Sequence, residues 1–385
     1  MKRFCTRSIP VMLCLLLAAC ASHQRTPVPL QLLQDNLFPQ SAERINPAAV
    51  FAVSDAMRHY LKTEIAPQLQ VKGPQQGLID ALNSKNQLKI EYDSASTRNA
   101  AEAFEARAGN CLSLVIMTAA MAKEIGLSTH YQSVFVEETW SRSGGLHFTT
   151  GHVNLTVGRR THDIKSRIDD NVMITIDFNP PMPNKSYHTW NISEERVMAM
   201  FMNNRGAEAL ARGQVNEAYW WIREAVRQDP TFVTAYNTLG VVYRRNGSFA
   251  AAEKAFNHAL AQEPDNTQIM SNLAMVLADA GHQDAANVLK EKVERRRPYP
   301  PFHFFALGVE AMEAHNLVLA RDLFRRELAR DPYNHEFHFW LAKALFGLGD
   351  VAGSKHHLGL ATNYSPTRRD HEVYAAKLDR IKAVY

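Results

Sequence analysis

An excess of charge of one sign is missing from this chain. Its 385 residues hold 43 Lys and Arg against 39 Asp and Glu, a formal net charge of +4. That is too little to argue for a nucleic-acid partner, which calls for a basic patch or stripe. The run Arg295-Arg296-Arg297 stands at the end of a helical segment, where cations suit the helix dipole, so it reads as a solvated helix end. Cysteine is scarce, with four in the chain, at positions 5, 14, 20 and 111. The apolar run from Val11 to Ala19 is too short to span a bilayer permanently. Metal-ligand spacing is also missing. His147 with His152, or His162 with Asp163, match no established zinc pattern, and Cys111 is remote from them in sequence. Neither a metal nor another cofactor is expected. Hydrophobic content of 46% and charged content of 21% are those of an ordinary globular chain, and the length favours two domains over one.

What is there begins with an export signal. Lys2, Arg3 and Arg7 precede the apolar run, and residues 1–19 read as a cleaved leader. Leu17-Ala18-Ala19-Cys20 resembles the bacterial lipobox. That resemblance implies that Cys20 is lipidated and opens the mature chain. Ala21 and Ser22, with no Asp after the cysteine, resemble lipoproteins sent to the outer membrane. The implied location is the bacterial cell envelope, anchored in the outer membrane and facing the periplasm. Residues 20–45 are polar, contain Pro27, Pro29 and Pro39, and read as a tether. With Cys5 and Cys14 removed and Cys20 capped, Cys111 is the one free thiol, and no intramolecular disulfide can form.

That thiol sits in Arg107-Ala108-Gly109-Asn110-Cys111-Leu112-Ser113. It follows a Gly-Asn turn and opens an apolar helix from Leu112 to Ile125, which Gly126 stops. The start of a helix favours a thiolate, and its free N–H groups can hold an oxyanion. A lone thiol is also often a buried, inert core group. Upstream, Asn46-Pro47 predicts a helix start and a helix through about Ile65; a second helix is expected over Pro74 to Asn83. Thr97 is the expected cap of a helix that holds Ala100 to Phe104. Downstream, the period changes to two. Tyr131 to Val136, His152 to Val157 and Met173 to Phe178 read as strands, with His152 and Asp177 on polar faces. Pairing Val153 with Ile176 and Leu155 with Ile174 in an antiparallel ladder sets His152 opposite Asp177, about 5 Å apart at Cβ.

The order helix-Cys, strand-His, strand-Asp resembles the transglutaminase-like branch of papain-type cysteine enzymes. The resemblance covers roughly residues 46–190 and rests on Gly109-Asn110-Cys111, Glu124-Ile125-Gly126-Leu127, Gly151-His152-Val153-Asn154-Leu155 and Ile176-Asp177-Phe178-Asn179-Pro180. It implies an α+β transglutaminase-like or papain-like domain with Cys111 as nucleophile, His152 as base and Asp177 as the group that orients the histidine. Asn154 stands where the family often has an aromatic residue, and Ser113 where it often has an acidic one. Those departures bear on substrate class and cross-linking ability.

Asn179 to Asn191 reads as a linker. Beyond it a repeat can be counted. Pro230, Pro264, Pro298, Pro332 and Pro366 stand 34 residues apart, and Gly206, Gly240, Ala274, Gly308 and Ala342 keep the same step. That period, with small residues at fixed positions, is the tetratricopeptide (TPR) signature. It predicts an all-α solenoid over residues 191–385: five repeats from about 199 to 368, then a capping helix from Asp370 to Tyr385. The small residues are expected where the two helices of a repeat cross. The inner groove is expected to present Asn203, Asn237, Arg244, Phe305 and Phe339 to a protein or peptide. Trp220-Trp221 reads as a hot spot, or as one core Trp beside one half-exposed.

The two halves together imply a lipid-anchored cysteine hydrolase or acyltransferase acting on a peptide or isopeptide bond, with the repeats recruiting a protein partner. A different class of reading is an inert envelope scaffold in which only the repeats act.

Overall fold

A computed structural model describes residues 26–84, 88–143, 146–159, 173–178 and 188–384. The expected leader, Cys20 and the pair His162 and Asp163 lie outside those residues, as does the side chain of His147.

The N-terminal part is α+β. Asn46-Pro47 starts only a 3-10 turn, Pro47–Ala49; the helix proper, α1 (Asp55–His59), is capped by Ser54 and runs on as a π turn to Glu64. Then come α2 (Ala66–Lys72), α3 (Pro74–Asn83), β1 (Glu91–Tyr92), α4 (Ala100–Ala106), β2 (Ala108–Gly109) and α5 (Cys111–Glu124). A long hairpin follows, β3 (Leu127–Ser143) and β4 (Leu146–Arg159), then β5 (Ile174–Ile176) and β6 (Thr189–Ile192). The four strands form one antiparallel sheet in the order β5-β4-β3-β6. The expected linker is thus partly sheet, because β6 pairs with β3 from Tyr131–Ile192 to Val134–Thr189. Every residue of α5 from Cys111 to Ala122 is buried. The helix lies against the sheet, whose Val153, Leu155 and Val157 join its core. An apolar helix all round needs such a site.

The helix cap expected at Thr97 belongs to Asn99. Its side chain accepts the Glu102 N–H, and the Glu102 carboxylate accepts the Asn99 N–H, a closed capping box.

The C-terminal part is a stack of helix pairs: α6 (Glu194–Ala211) with α7 (Val215–Gln228), α8 (Val233–Arg245) with α9 (Phe249–Gln262), and α10 (Thr267–Asp279) with α11 (Gln283–Arg296). Next are α12 (His303–Glu313) with α13 (Leu317–Leu328), α14 (His335–Gly347) with α15 (Val351–Tyr364), and a final α16 (Arg368–Val384). The fixed small residues do what the spacing predicts. A Cβ on Gly240 would stand 2.5 Å from the Phe256 ring, and one on Gly308 2.5 Å from the Phe324 ring. Each is a crossing of the two helices in one repeat. The array has two separate cores. One runs from the α+β domain through Ala286 on α11; the other starts at Phe302 and holds α12, α13 and α14. Between them lie Pro298, Pro300 and Pro301, with Phe302 in the left-handed region at φ 63°.

The expected tether is a strap on the array. Phe38 is buried and stacks on Tyr219 of α7, ring centroids 4.1 Å apart. Asp35 accepts from the Tyr219 hydroxyl at 2.6 Å and from Arg223 at 2.8 Å. The Tyr243 hydroxyl on α8 donates to the Leu32 carbonyl at 2.7 Å, and the indole N–H of Trp220 to the Pro39 carbonyl at 2.6 Å. Burying one Phe contributes about 1.5–3 kcal/mol, and the polar groups around it are paired rather than stranded. Free-coil behaviour would forgo both gains. Trp221 is the core member of its pair, 8% exposed, and its N–H donates to Glu43 at 3.1 Å.

The last repeat carries a histidine pair. The Pro332 carbonyl can only accept, so Nε2 of His338, 2.9 Å away, holds a proton. Its Nδ1 then accepts from Nδ1–H of His357 at 2.9 Å. Burial, with His338, His356 and Arg325 nearby, pushes His357 down to about 4 against an opposing Asp350; burial also lowers His338. The folded pair stays neutral while the unfolded chain takes up protons near its ordinary value of about 6.5. Stability of α14–α15 is therefore full above about pH 6.5 and falls as the pH drops towards 4. Thermal melts across that range should show the slope, and His357→Asn should flatten it.

Candidate active site

The cysteine is positioned by its own turn. Asn110, in the extended region, caps α5: its Oδ1 accepts the Ser113 N–H at 2.9 Å and the Ser113 hydroxyl at 2.8 Å. Its amide donates to the Thr97 hydroxyl at 2.9 Å. Ser113 is fully buried and its hydroxyl accepts the Arg98 N–H at 2.8 Å. A carboxylate at position 113 would meet those same groups in a buried place, so serine there serves the turn. Gly109 is needed for the approach, since a Cβ on it would stand 2.7 Å from that of Ser113. Residue 111 is left as the first residue of α5, 8% exposed, with its sulfur 4.0 Å from the Gly151 carbonyl oxygen.

His152 follows Gly151 on β4 and is buried at 6% exposure. Its Nε2 lies 2.8 Å from Oδ1 of Asp177, which follows β5 and is half-exposed. With Nε2 engaged there, Nδ1 is the nitrogen left for Cys111. Burial works against a charged ring, but hydrogen bonds to Asp177 and Cys111, with their charges, outweigh it and hold the imidazole up at about 10. Tyr92 on β1 lies opposite Gly109 of the cysteine turn; its hydroxyl is pushed up, first by burial and then by the charge of Cys111, although the residue as a whole keeps 37% of its surface.

The route by which Asp177 reaches the histidine differs from the expected ladder. Leu155 pairs with Ile176 and Val157 with Ile174, two residues away from the pairing drawn from sequence. Position 177 thus falls level with Asn154, not His152, and the carboxylate reaches the ring along a diagonal. Slipping by two keeps every side chain on its face, because the strand period is two; long side chains span the diagonal. Asn154 is itself buried at 7% exposure, and its Oδ1 has no hydrogen-bond partner among the described residues. Among those residues no three His, Cys, Asp or Glu stand close enough to hold a metal.

The groove positions fare differently from one another. Asn203 is buried at 7%. Asn237 accepts from Asn272 at 2.8 Å, and Arg244 pairs with Asp279 at 2.6 Å. Phe339 stacks on Tyr374 of the capping helix at 4.9 Å. Phe305 is a correction. It is wholly buried against Phe324, Phe337 and Trp340 in the second core and cannot meet a partner. A ring of that size gains by joining the core beside it, whereas Phe339, one period on, stays partly exposed against Tyr374.

Family models for the tetratricopeptide repeat match residues 233–266 and 305–354. The C-terminal half is a tetratricopeptide array. Such arrays are protein-binding modules, so protein recognition is the part of the function that the repeats themselves carry. No curated protein matches the chain. Solved structures similar to it include a thermophilic TPR protein from Thermus thermophilus, 17% identical, TM-score 0.29, covering 47% of this chain and 98% of that one. Pseudomonas aeruginosa PilF is 17% identical with a TM-score of 0.26, covering 48% and 91%. MamA from Desulfovibrio magneticus is 17% identical with a TM-score of 0.26, covering 45% and 96%.

The geometry around the histidine yields a direct test. Asp177→Asn removes the half-exposed charge that helps hold the His152 ring protonated, so the ring should titrate well below about 10. Histidine ring NMR measures it, and an unmoved titration would show that Asp177 is not the group responsible.

Proposed function

We propose that the chain is an exported, lipid-anchored cysteine hydrolase with a transglutaminase-like or papain-like α+β domain, cleaving a peptide or isopeptide bond in a protein that the array recruits. The observation that carries this reading is the hydrogen bond from His152 to Asp177 behind a cysteine at the head of α5. In the first step the Cys111 thiolate attacks the amide carbonyl carbon, and the carbonyl oxygen becomes an oxyanion among the N–H groups at the head of α5. The C–N bond then breaks, and the protonated His152 gives its Nδ1 proton to the leaving nitrogen. That leaves a thioester on Cys111 and a neutral imidazole. His152 next takes a proton from water, whose oxygen attacks the thioester. The C–S bond breaks, which releases a carboxylic acid and restores the thiolate–imidazolium pair. An amine can replace water only where water is kept out, and water is by far the more concentrated acceptor.

A second reading has its own support. Both family matches fall in the array, and Cys111 is buried. In that reading the α+β domain is inert and the chain is an envelope scaffold. Iodoacetamide at neutral pH, followed by peptide mass spectrometry, separates the two. The hydrolase reading expects a carboxamidomethyl group on Cys111, and acyl adducts there after incubation with envelope proteins; an unmodified thiol favours the scaffold.

The anchor is proposed on the lipobox alone. Cys20→Ala should move the protein from the membrane fraction to the soluble periplasm, since several acyl chains hold firmly where one holds marginally. A variant that is processed yet stays with membranes would rule the anchor out.

A further inference from the structure

The loop 93–99 carries none of the three proposed catalytic groups, yet it is held from three sides. Within the α+β domain, Asp93 pairs with Arg98 at 3.1 Å, and the Asp93 N–H donates to the Gly109 carbonyl at 2.9 Å. From the first repeat, the Glu208 carboxylate on α6 accepts the Thr97 N–H at 2.7 Å, and Arg205 donates to the Thr97 carbonyl at 3.3 Å. From the far end of the array, the Pro366 carbonyl, between α15 and α16, accepts both the N–H and the hydroxyl of Ser94, at 2.9 and 3.0 Å. The five repeats therefore start and finish on one loop of the α+β domain.

That loop touches the cysteine turn at Asp93, whose N–H donates to the Gly109 carbonyl, at Arg98, whose N–H donates to the Ser113 hydroxyl at 2.8 Å, and at Thr97, the one of the three that the first repeat holds. Thr97 is 1% exposed, and its hydroxyl accepts from the Asn110 amide at 2.9 Å. Asn110 in turn caps α5 beside Cys111. From the array to the head of α5 the path is Glu208, Thr97, Asn110, with a hydrogen bond at each step.

We propose that the two ends of the array clasp loop 93–99, and that this clasp sets the reactivity of Cys111, with Glu208 and Thr97 as positioning residues. The proposal rests on the reading of Cys111 as a nucleophile. A partner seated along the repeats alters their curvature, and with it the separation of α6 from Pro366; the loop lies between those two points. Occupancy of the array is thereby felt at the thiol.

The test uses the full chain and follows alkylation of Cys111 by iodoacetamide, read by peptide mass, as a function of pH. Thr97→Val and Glu208→Ala should each slow alkylation about 5- to 10-fold, the scale of one hydrogen bond, and displace the pH profile. Thr97→Ser and Glu208→Gln, which keep an acceptor in place, should restore both. Amide exchange at Ser113 is measured alongside and should quicken in Thr97→Val and Glu208→Ala. If Glu208→Ala does not fold, Thr97→Val carries the test. Wild-type rates and profiles in folded variants overturn the clasp and leave the hydrolase reading standing. An inert wild-type thiol removes the hydrolase reading, and with it any control of reactivity by the clasp, however Ser113 exchanges.

Discussion

Much of this molecule turns on what one asparagine side chain can do. Asn110 has a carbonyl oxygen and an amide, and it uses both ends. The oxygen closes the head of α5, where a helix would otherwise leave N–H groups without partners. The nitrogen reaches out to Thr97. Because α5 is buried along nearly its whole length, its axis is fixed by the core. Its first turn is fixed by Asn110, by the Arg98 N–H on the Ser113 hydroxyl and by the small-residue approach at Gly109. The place of the sulfur follows from that cap, and the place of the cap from the loop that Thr97 belongs to.

The histidine obeys a different constraint. It lies on a strand whose alternate residues fill the core, and its ring is buried with a carboxylate on one nitrogen and a thiol near the other. Asp177 is half-exposed, so water tempers that pair more than the thiol's buried side. The charges nonetheless add up the same way, and together they exceed the cost of burial.

How much of this could be read from residues alone varies with the range of the interaction. The array was legible because its period of 34 recurs and the glycines of that period answer a large apolar side chain in their own repeat, Gly206 Ile222, Gly240 Phe256 and Gly308 Phe324. The faces of the strands were legible because they follow the two-residue period. The register was not: pairings two residues apart put the same faces together, and only the neighbouring strand decides between them. The strap was missed because residues 28–43 have no period and their partners lie some 180–210 positions away, on α7 and α8. Threonine suits caps, so sequence alone points to Thr97. Asn99, two residues on, has the carboxylate of Glu102 to complete the box, and Thr97 is freed for Asn110.

The break between the two cores of the array gains meaning from Ser94. Residues 297–302 join the third repeat to the fourth without a shared core. In an open chain of parts, a weak link isolates everything beyond it. Here the outermost repeat returns to the first domain through Pro366, so the parts form a closed circuit. Repeats four and five are tied in from both directions, and strain arising at the weak link has two paths to the rest of the molecule rather than one.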